Sequence, residues 1–225
     1  MRVEGEGDPL LLINGMTRPL ESWEPLTREL AGRLVVSFDA PGVGASPTPV
    51  LPLSIPGLAA LAATVLDAAG VDNASVLGFS HGGAVAQQLA VDVPSRVNRL
   101  ILVSTSCGVG ATPGQGRAVV DGLGMTGEFV PWPRADLVGM LWHTLAFSSW
   151  SSIPFLGAIT VPTLVVCGTD DRVVPPSNSR LLARRIPNAS LVIIPGGHDL
   201  QLPEPAARLA TAVEAFLTQA NEHAN

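Results

Sequence analysis

Lysine and tyrosine are absent from all 225 residues, so every one of the 13 basic side chains is an arginine. Their absence excludes Schiff-base chemistry, a phosphate-loop lysine and the Tyr-Lys pair of short-chain dehydrogenases. Clustered positive charge is also missing. With a net charge of −6 and no basic block, neither nucleic acid nor an anionic membrane surface is expected as a partner. The two cysteines, Cys107 and Cys167, lie far apart with no CxxC spacing, which argues against a disulfide framework or a zinc site. No apolar run reaches the roughly 18 residues of a membrane span, and Arg2, Glu4, Glu6 and Asp8 interrupt any N-terminal leader, so a cytoplasmic protein is expected. Neither Gly78-Phe79-Ser80-His81-Gly82-Gly83 nor Asp39-Ala40-Pro41-Gly42-Val43-Gly44 fits G-x-G-x-x-G, and the second carries a proline where a phosphate loop needs backbone donors. No cofactor and no metal are expected.

What is abundant is hydrophobic residue, 47% of the chain, arranged in alternating patterns. Leu10 to Ile13, Leu34 to Phe38, Ala74 to Phe79, Leu100 to Ser104, Thr163 to Cys167 and Leu191 to Ile194 are short apolar runs, the signature of strands buried on both faces. Between them, Ser22 to Gly32, Pro56 to Ala69, Gly82 to Asp92, Ser177 to Arg185 and Glu204 to Thr218 repeat apolar residues at helical spacing. This predicts an α/β fold, a mostly parallel sheet with helices on both faces. The rhythm breaks over residues 108–159, where Phe129, Trp132, Trp142, Phe147, Trp150 and Phe155 gather. A single domain spanning residues 1–225, with a short lid insertion over about 108–159, is the organisation expected.

Chemistry concentrates after the strands. Val76 to Ala86 runs from an apolar strand through Gly78-Phe79-Ser80-His81-Gly82 into a helical stretch, the pattern of a nucleophile elbow that lifts a serine hydroxyl above the sheet. Asp170 and Asp171 follow the fifth apolar run and His198 follows the sixth. Serine, aspartate and histidine in that chain order match the triad of an α/β-hydrolase fold: the imidazole takes the serine proton, and the carboxylate fixes the imidazole tautomer. An oxyanion hole is expected from the backbone N–H of His81 and that of Met16 in the Asn14-Gly15-Met16 loop. Asn14, His143, Trp142, Phe147 and Trp150 are expected to contact substrate, the aromatics forming an apolar acyl wall. The His81 side chain adjoins the nucleophile at a helix start and points away from it, so it is expected to shape the pocket or pack. His223 is read as a tail residue.

These residues resemble the intracellular medium-chain-length poly(3-hydroxyalkanoate) depolymerases. The likeness rests on Leu10-Leu11-Leu12-Ile13-Asn14-Gly15, Asp39-Ala40-Pro41-Gly42-Val43-Gly44 with Ser46, and Pro56-Gly57-Leu58-Ala59. It continues through Gly82-Gly83-Ala84-Val85-Ala86-Gln87-Gln88, Trp150-Ser151-Ser152-Ile153 and Arg180 to Ala189. The resemblance implies Ser80 as nucleophile, Asp171 as the acid, His198 as base, and hydrolysis of aliphatic 3-hydroxyacyl esters or of a polyester made from them. The sequence departs from that family in lacking a full pair of strands before Leu10, in a shorter lid, and in carrying His81 where a tryptophan is expected. A small-molecule esterase, lactonase or thioesterase of the same fold is the alternative expectation, and a non-catalytic binding protein a more distant one.

Overall fold

Consecutive residues of each central strand point to opposite faces of the sheet, and here both faces are covered, which is why the central strands are mostly apolar on both faces rather than alternating. The computed structural model describes residues 1–30, 32–122 and 136–219. Its strands are β1 (Arg2–Glu4), β2 (Asp8–Ile13), β3 (Arg33–Ser37), β4 (Ala74–Phe79), β5 (Val97–Val103), β6 (Thr163–Gly168) and β7 (Ala189–Ile194), in the spatial order β1-β3-β2-β4-β5-β6-β7. Only β1 runs antiparallel to its neighbour, pairing Val3 with Val36. The helices are α1 (Glu24–Thr27), α2 (Ile55–Ala68), α3 (His81–Asp92), α4 (Gly116–Gly122), α5 (Leu137–Ser148), α6 (Pro176–Arg185) and α7 (Pro203–Leu217).

Leu11, Ile13, Val76, Leu100 and Val165 face one core with α2, α3 and α6, while Leu10, Leu12, Leu77, Ile101 and Val166 face a second core with Trp23, Leu26 and α7. The period-2 division of adjacent leucines explains how the run Leu10-Leu11-Leu12 is fully buried. Two expectations need correction. The helix expected over Ser22 to Gly32 is a 3-10 turn at Leu20–Trp23 running into α1, which ends at Thr27. Strand β1 was not anticipated, because three residues carrying Arg2 and Glu4 show no periodicity.

The strand order places the site. β2 and β4 are direct neighbours, so the loop after β2 lies beside the turn after β4. Because β2 to β7 are parallel, the turns after β4, β6 and β7 all emerge along one edge of the sheet. Within residues 108–159, α5 and a 3-10 turn at Leu156–Ala158 precede β6, and Ala146, Trp150, Leu156 and Ile159 join the α2/α3 core. Phe129 and Trp132 lie outside the described residues, as does His223.

Candidate active site

Ser80 follows the last residue of β4 with φ 52° and ψ −118°, a left-handed backbone that an L-residue holds only under constraint. The constraint is visible in the hydrogen bonds. Its N–H donates to the Val103 carbonyl (2.9 Å), and its own carbonyl accepts from the Thr105 hydroxyl (2.6 Å) and the Gly83 N–H (2.9 Å). Gly82 is required by close approach, since a Cβ there would collide with the carbonyl oxygens of Ile13 and Asn14. The turn therefore brings α3 directly against the end of β2.

Ser80 Oγ lies 3.1 Å from Nε2 of His198, whose Nδ1 lies 2.9 Å and 3.1 Å from the two carboxylate oxygens of Asp171. With the proton on Nδ1, that nitrogen donates to Asp171 and Nε2 accepts from the Ser80 hydroxyl. The Asp171 side chain is fully buried, and its Oδ1 also accepts the N–H groups of Val173 (3.0 Å) and Val174 (2.8 Å). Asp170 is exposed, and its carboxylate accepts from the Thr169 hydroxyl instead. Of the two adjacent aspartates, only Asp171 meets the histidine.

The loop after β2 is organised by Asn14. Its Oδ1 accepts the Gly15 N–H (2.9 Å), and its Nδ2 donates to the Pro19 carbonyl (2.9 Å) and the Ser22 hydroxyl (2.7 Å). This corrects the expected substrate contact: the amide is buried and its hydrogen-bonding capacity is taken up by the loop it shapes. One consequence is that the Gly15 N–H is occupied while the next one is free. Neither the Met16 nor the His81 N–H donates to an acceptor among the described residues. Gly15 packs against Phe79 and Ser80 closely enough that a Cβ would press on the Phe79 ring, which sets Met16 beside the elbow. The buried Asp39 carboxylate holds the same region from behind, accepting the N–H of Leu20 (2.8 Å) and of Ala45 (3.0 Å). The sequence signal for Asp39 was its place at the head of the Asp-Ala-Pro-Gly run; Thr105 carried none.

Two further expected substrate contacts, Trp150 and His143, are corrected by burial and bonding, while Trp142 stays half-buried. Trp150 belongs to the core, its indole N–H donating to Gln88 on α3 (2.8 Å). Trp142 donates to the Pro49 carbonyl (3.1 Å), which fastens α5 to the loop after β3. His143 is 3% exposed, with Nε2 2.9 Å from the Pro41 carbonyl. Phe147 remains half-buried, with its ring 5.9 Å from His81. His81 meets His143 of α5 edge to face at 4.9 Å.

Burial, reinforced by His143, lowers the His81 pKa to about 3, and burial lowers that of His143 against an opposing hydrogen bond to Pro41. Unfolded, each imidazole takes up a proton near pH 6.5, whereas the folded chain resists it. The stabilisation from keeping His81 neutral is therefore complete above pH 6.5 and is lost as the pH falls toward 3. Urea unfolding between pH 4 and 7 is expected to show stability rising with pH, and His81→Phe is expected to flatten that slope by up to about 1.4 kcal/mol per pH unit. An unchanged slope in His81→Phe would show that His81 is not buried in its neutral form.

Comparison with known proteins agrees with this fold. A family model described as alpha/beta hydrolase fold matches residues 8–149 and 138–205. The chain is 38% identical to a poly(3-hydroxyalkanoate) depolymerase of Ectopseudomonas oleovorans, over 96% of its own length and 86% of that relative. Among solved structures, a hydrolase from Pseudomonas aeruginosa superposes with a TM-score of 0.85 at 28% identity, covering 97% of this chain and 93% of that one. An enol-lactonase from Burkholderia xenovorans gives a TM-score of 0.85 at 25% identity, covering 97% and 95%. No helix among the described residues is long and apolar enough to cross a membrane.

Proposed function

Since the chain belongs to the alpha/beta hydrolase fold family, we propose that it hydrolyses carboxylic esters through a Ser80 acyl-enzyme, acting on aliphatic 3-hydroxyacyl esters or the polyester built from them. The observation that carries this reading is the hydrogen-bonded chain from Ser80 Oγ through His198 to the buried Asp171.

The Ser80 hydroxyl gives its proton to His198 Nε2 as its oxygen bonds to the ester carbonyl carbon. The carbonyl oxygen becomes an anion that accepts the N–H groups of Met16 and His81. The second sits at the N-terminus of the 12-residue α3, where unpaired amides and the aligned peptide dipoles favour negative charge. Asp171, bonded to Nδ1, stabilises the imidazolium. Collapse of the intermediate breaks the bond to the leaving alkoxide, which takes the proton from Nε2. A water molecule, deprotonated by the same nitrogen, then attacks the acyl-serine carbonyl, and the bond to Ser80 Oγ breaks, that oxygen taking the proton back from Nε2 as the carboxylic acid leaves.

Helix α5 serves as a short lid, presenting Phe147 near the elbow with His81 held neutral behind it. No charged side chain lies on α5, Leu137 to Ser148, so the wall suits an aliphatic chain. Each methylene removed from water contributes about 0.8 kcal/mol, close to a fourfold gain. With esters of matched leaving group, kcat/KM is expected to rise from acetate through hexanoate toward octanoate until the site is full. A preference for acetate would reject the medium-chain reading. The enol-lactonase neighbour favours a small lactone as the second reading, so a parallel assay on suspended polyhydroxyalkanoate and on soluble lactones separates the two.

A further inference from the structure

Two residues that the mechanism does not use connect the two halves of the site. Arg18 closes the turn that carries Met16, its N–H donating to the Gly15 carbonyl at 3.2 Å. Its guanidinium grips Asp199, the residue after His198, in a fork: Nε to Oδ1 at 3.0 Å, Nη2 to Oδ1 at 2.9 Å and Nη2 to Oδ2 at 3.0 Å. The Arg18 side chain is 7% exposed and that of Asp199 22%. We infer that the Arg18–Asp199 pair is a positioning clamp, holding the Met16 N–H and the His198 imidazole at a fixed separation across the reacting carbonyl. The inference rests on the proposed roles of Met16, Ser80 and His198.

The geometry suits that task. A planar fork on a carboxylate fixes orientation as well as distance, which a single hydrogen bond does not. The clamp joins the chain two residues after Met16 to the chain one residue after His198, and the His198 turn is tightened by the Leu200 N–H donating to the His198 carbonyl at 3.0 Å. Buried ion pairs are poor sources of stability, because desolvation offsets their attraction. Arg18 also leaves Nη1 buried and without a partner among the described residues, so folding alone does not favour an arginine here.

The fold supplies its own control. Arg33 forms a comparable fork with Glu214 (Nη2–Oε2 2.7 Å, Nε–Oε1 3.2 Å), its side chain 10% exposed, but at the start of β3, the opposite end of the sheet from the site. Arg18→Met, Arg18→Lys, Asp199→Asn and Arg33→Met are compared in the full chain for kcat and KM on a p-nitrophenyl hexanoate substrate, alongside thermal melting. A misplacement near 1 Å costs about 100-fold in rate, so Arg18→Met is expected to lower kcat by about 10- to 100-fold with KM within about threefold. Arg18→Lys, which keeps the charge but loses the fork, is expected to recover part of that loss, and Asp199→Asn to lower kcat by about 5- to 20-fold. Arg33→Met is expected to lower the melting temperature and leave kcat within about twofold.

A kcat for Arg18→Met within twofold of the parent, or a loss no larger than that of Arg33→Met, overturns the inference. So does a rise in KM at unchanged kcat, which would make Arg18 a substrate contact. Should Arg18→Met not fold, Arg18→Lys and Asp199→Asn decide by the same criterion. Ser80→Ala in the same assay separates the two levels: activity surviving there rejects the acyl-enzyme reading itself, whereas an inactive Ser80→Ala beside a normal Arg18→Met rejects only the clamp.

Discussion

Replacing Ser80 with alanine is expected to lower ester hydrolysis by roughly 10³- to 10⁶-fold while leaving the fold in place. The side chain removed is a half-exposed hydroxyl whose only side-chain partner among the described residues is His198. The bonds that hold the φ 52° turn run from backbone atoms of Ser80 to Val103, Thr105 and Gly83, and alanine keeps all of them. Thermal melting should therefore change little. Activity above about one tenth of the parent, measured on a medium-chain ester, would show that another group attacks the carbonyl.

Asp171→Asn carries the second large effect, with an expected loss of roughly 10³- to 10⁴-fold, set against a change within about twofold for Asp170→Asn. The Val173 and Val174 N–H groups both donate to Oδ1, so an asparagine places its carbonyl oxygen there and turns its NH₂ toward His198 Nδ1. That amide donates where the carboxylate accepted. It stabilises the imidazole tautomer with the proton on Nε2, which cannot take the proton of Ser80. Among the described residues the Asp170 carboxylate reaches only Thr169. Equal losses in the two variants, measured as kcat/KM, would remove Asp171 from the site.

The parts legible in the sequence are those that local pattern determines. Ala74 to Phe79 is a strand end for end, because Ser75 is its one polar residue and it is bounded by Asn73 and the elbow. The start of β5 at Val97 was missed because Asn98 and Arg99 interrupt the apolar run at the strand's exposed end. Ser80, Asp171 and His198 stand where parallel strands end, and strand ends can be read from composition. What sequence cannot show is which side chain turns inward. Asn14 looked like a substrate contact, and its amide is instead taken up by the loop; Trp150 looked like a pocket wall, and Gln88 holds it in the core. The Arg18–Asp199 fork joins positions 181 apart, with no periodicity or motif to announce it.

The central claim, that Ser80 is a nucleophile activated by His198, meets its most direct test in covalent labelling. The chain is incubated with an alkyl fluorophosphonate, which phosphonylates activated serines, and the adduct is located by mass spectrometry of the digest. One adduct per chain on the peptide carrying Ser80 is expected, absent from Ser80→Ala and formed at least about 100-fold more slowly in His198→Ala. A catalytically active preparation that remains unlabelled at Ser80, or that labels equally fast without His198, would contradict the account.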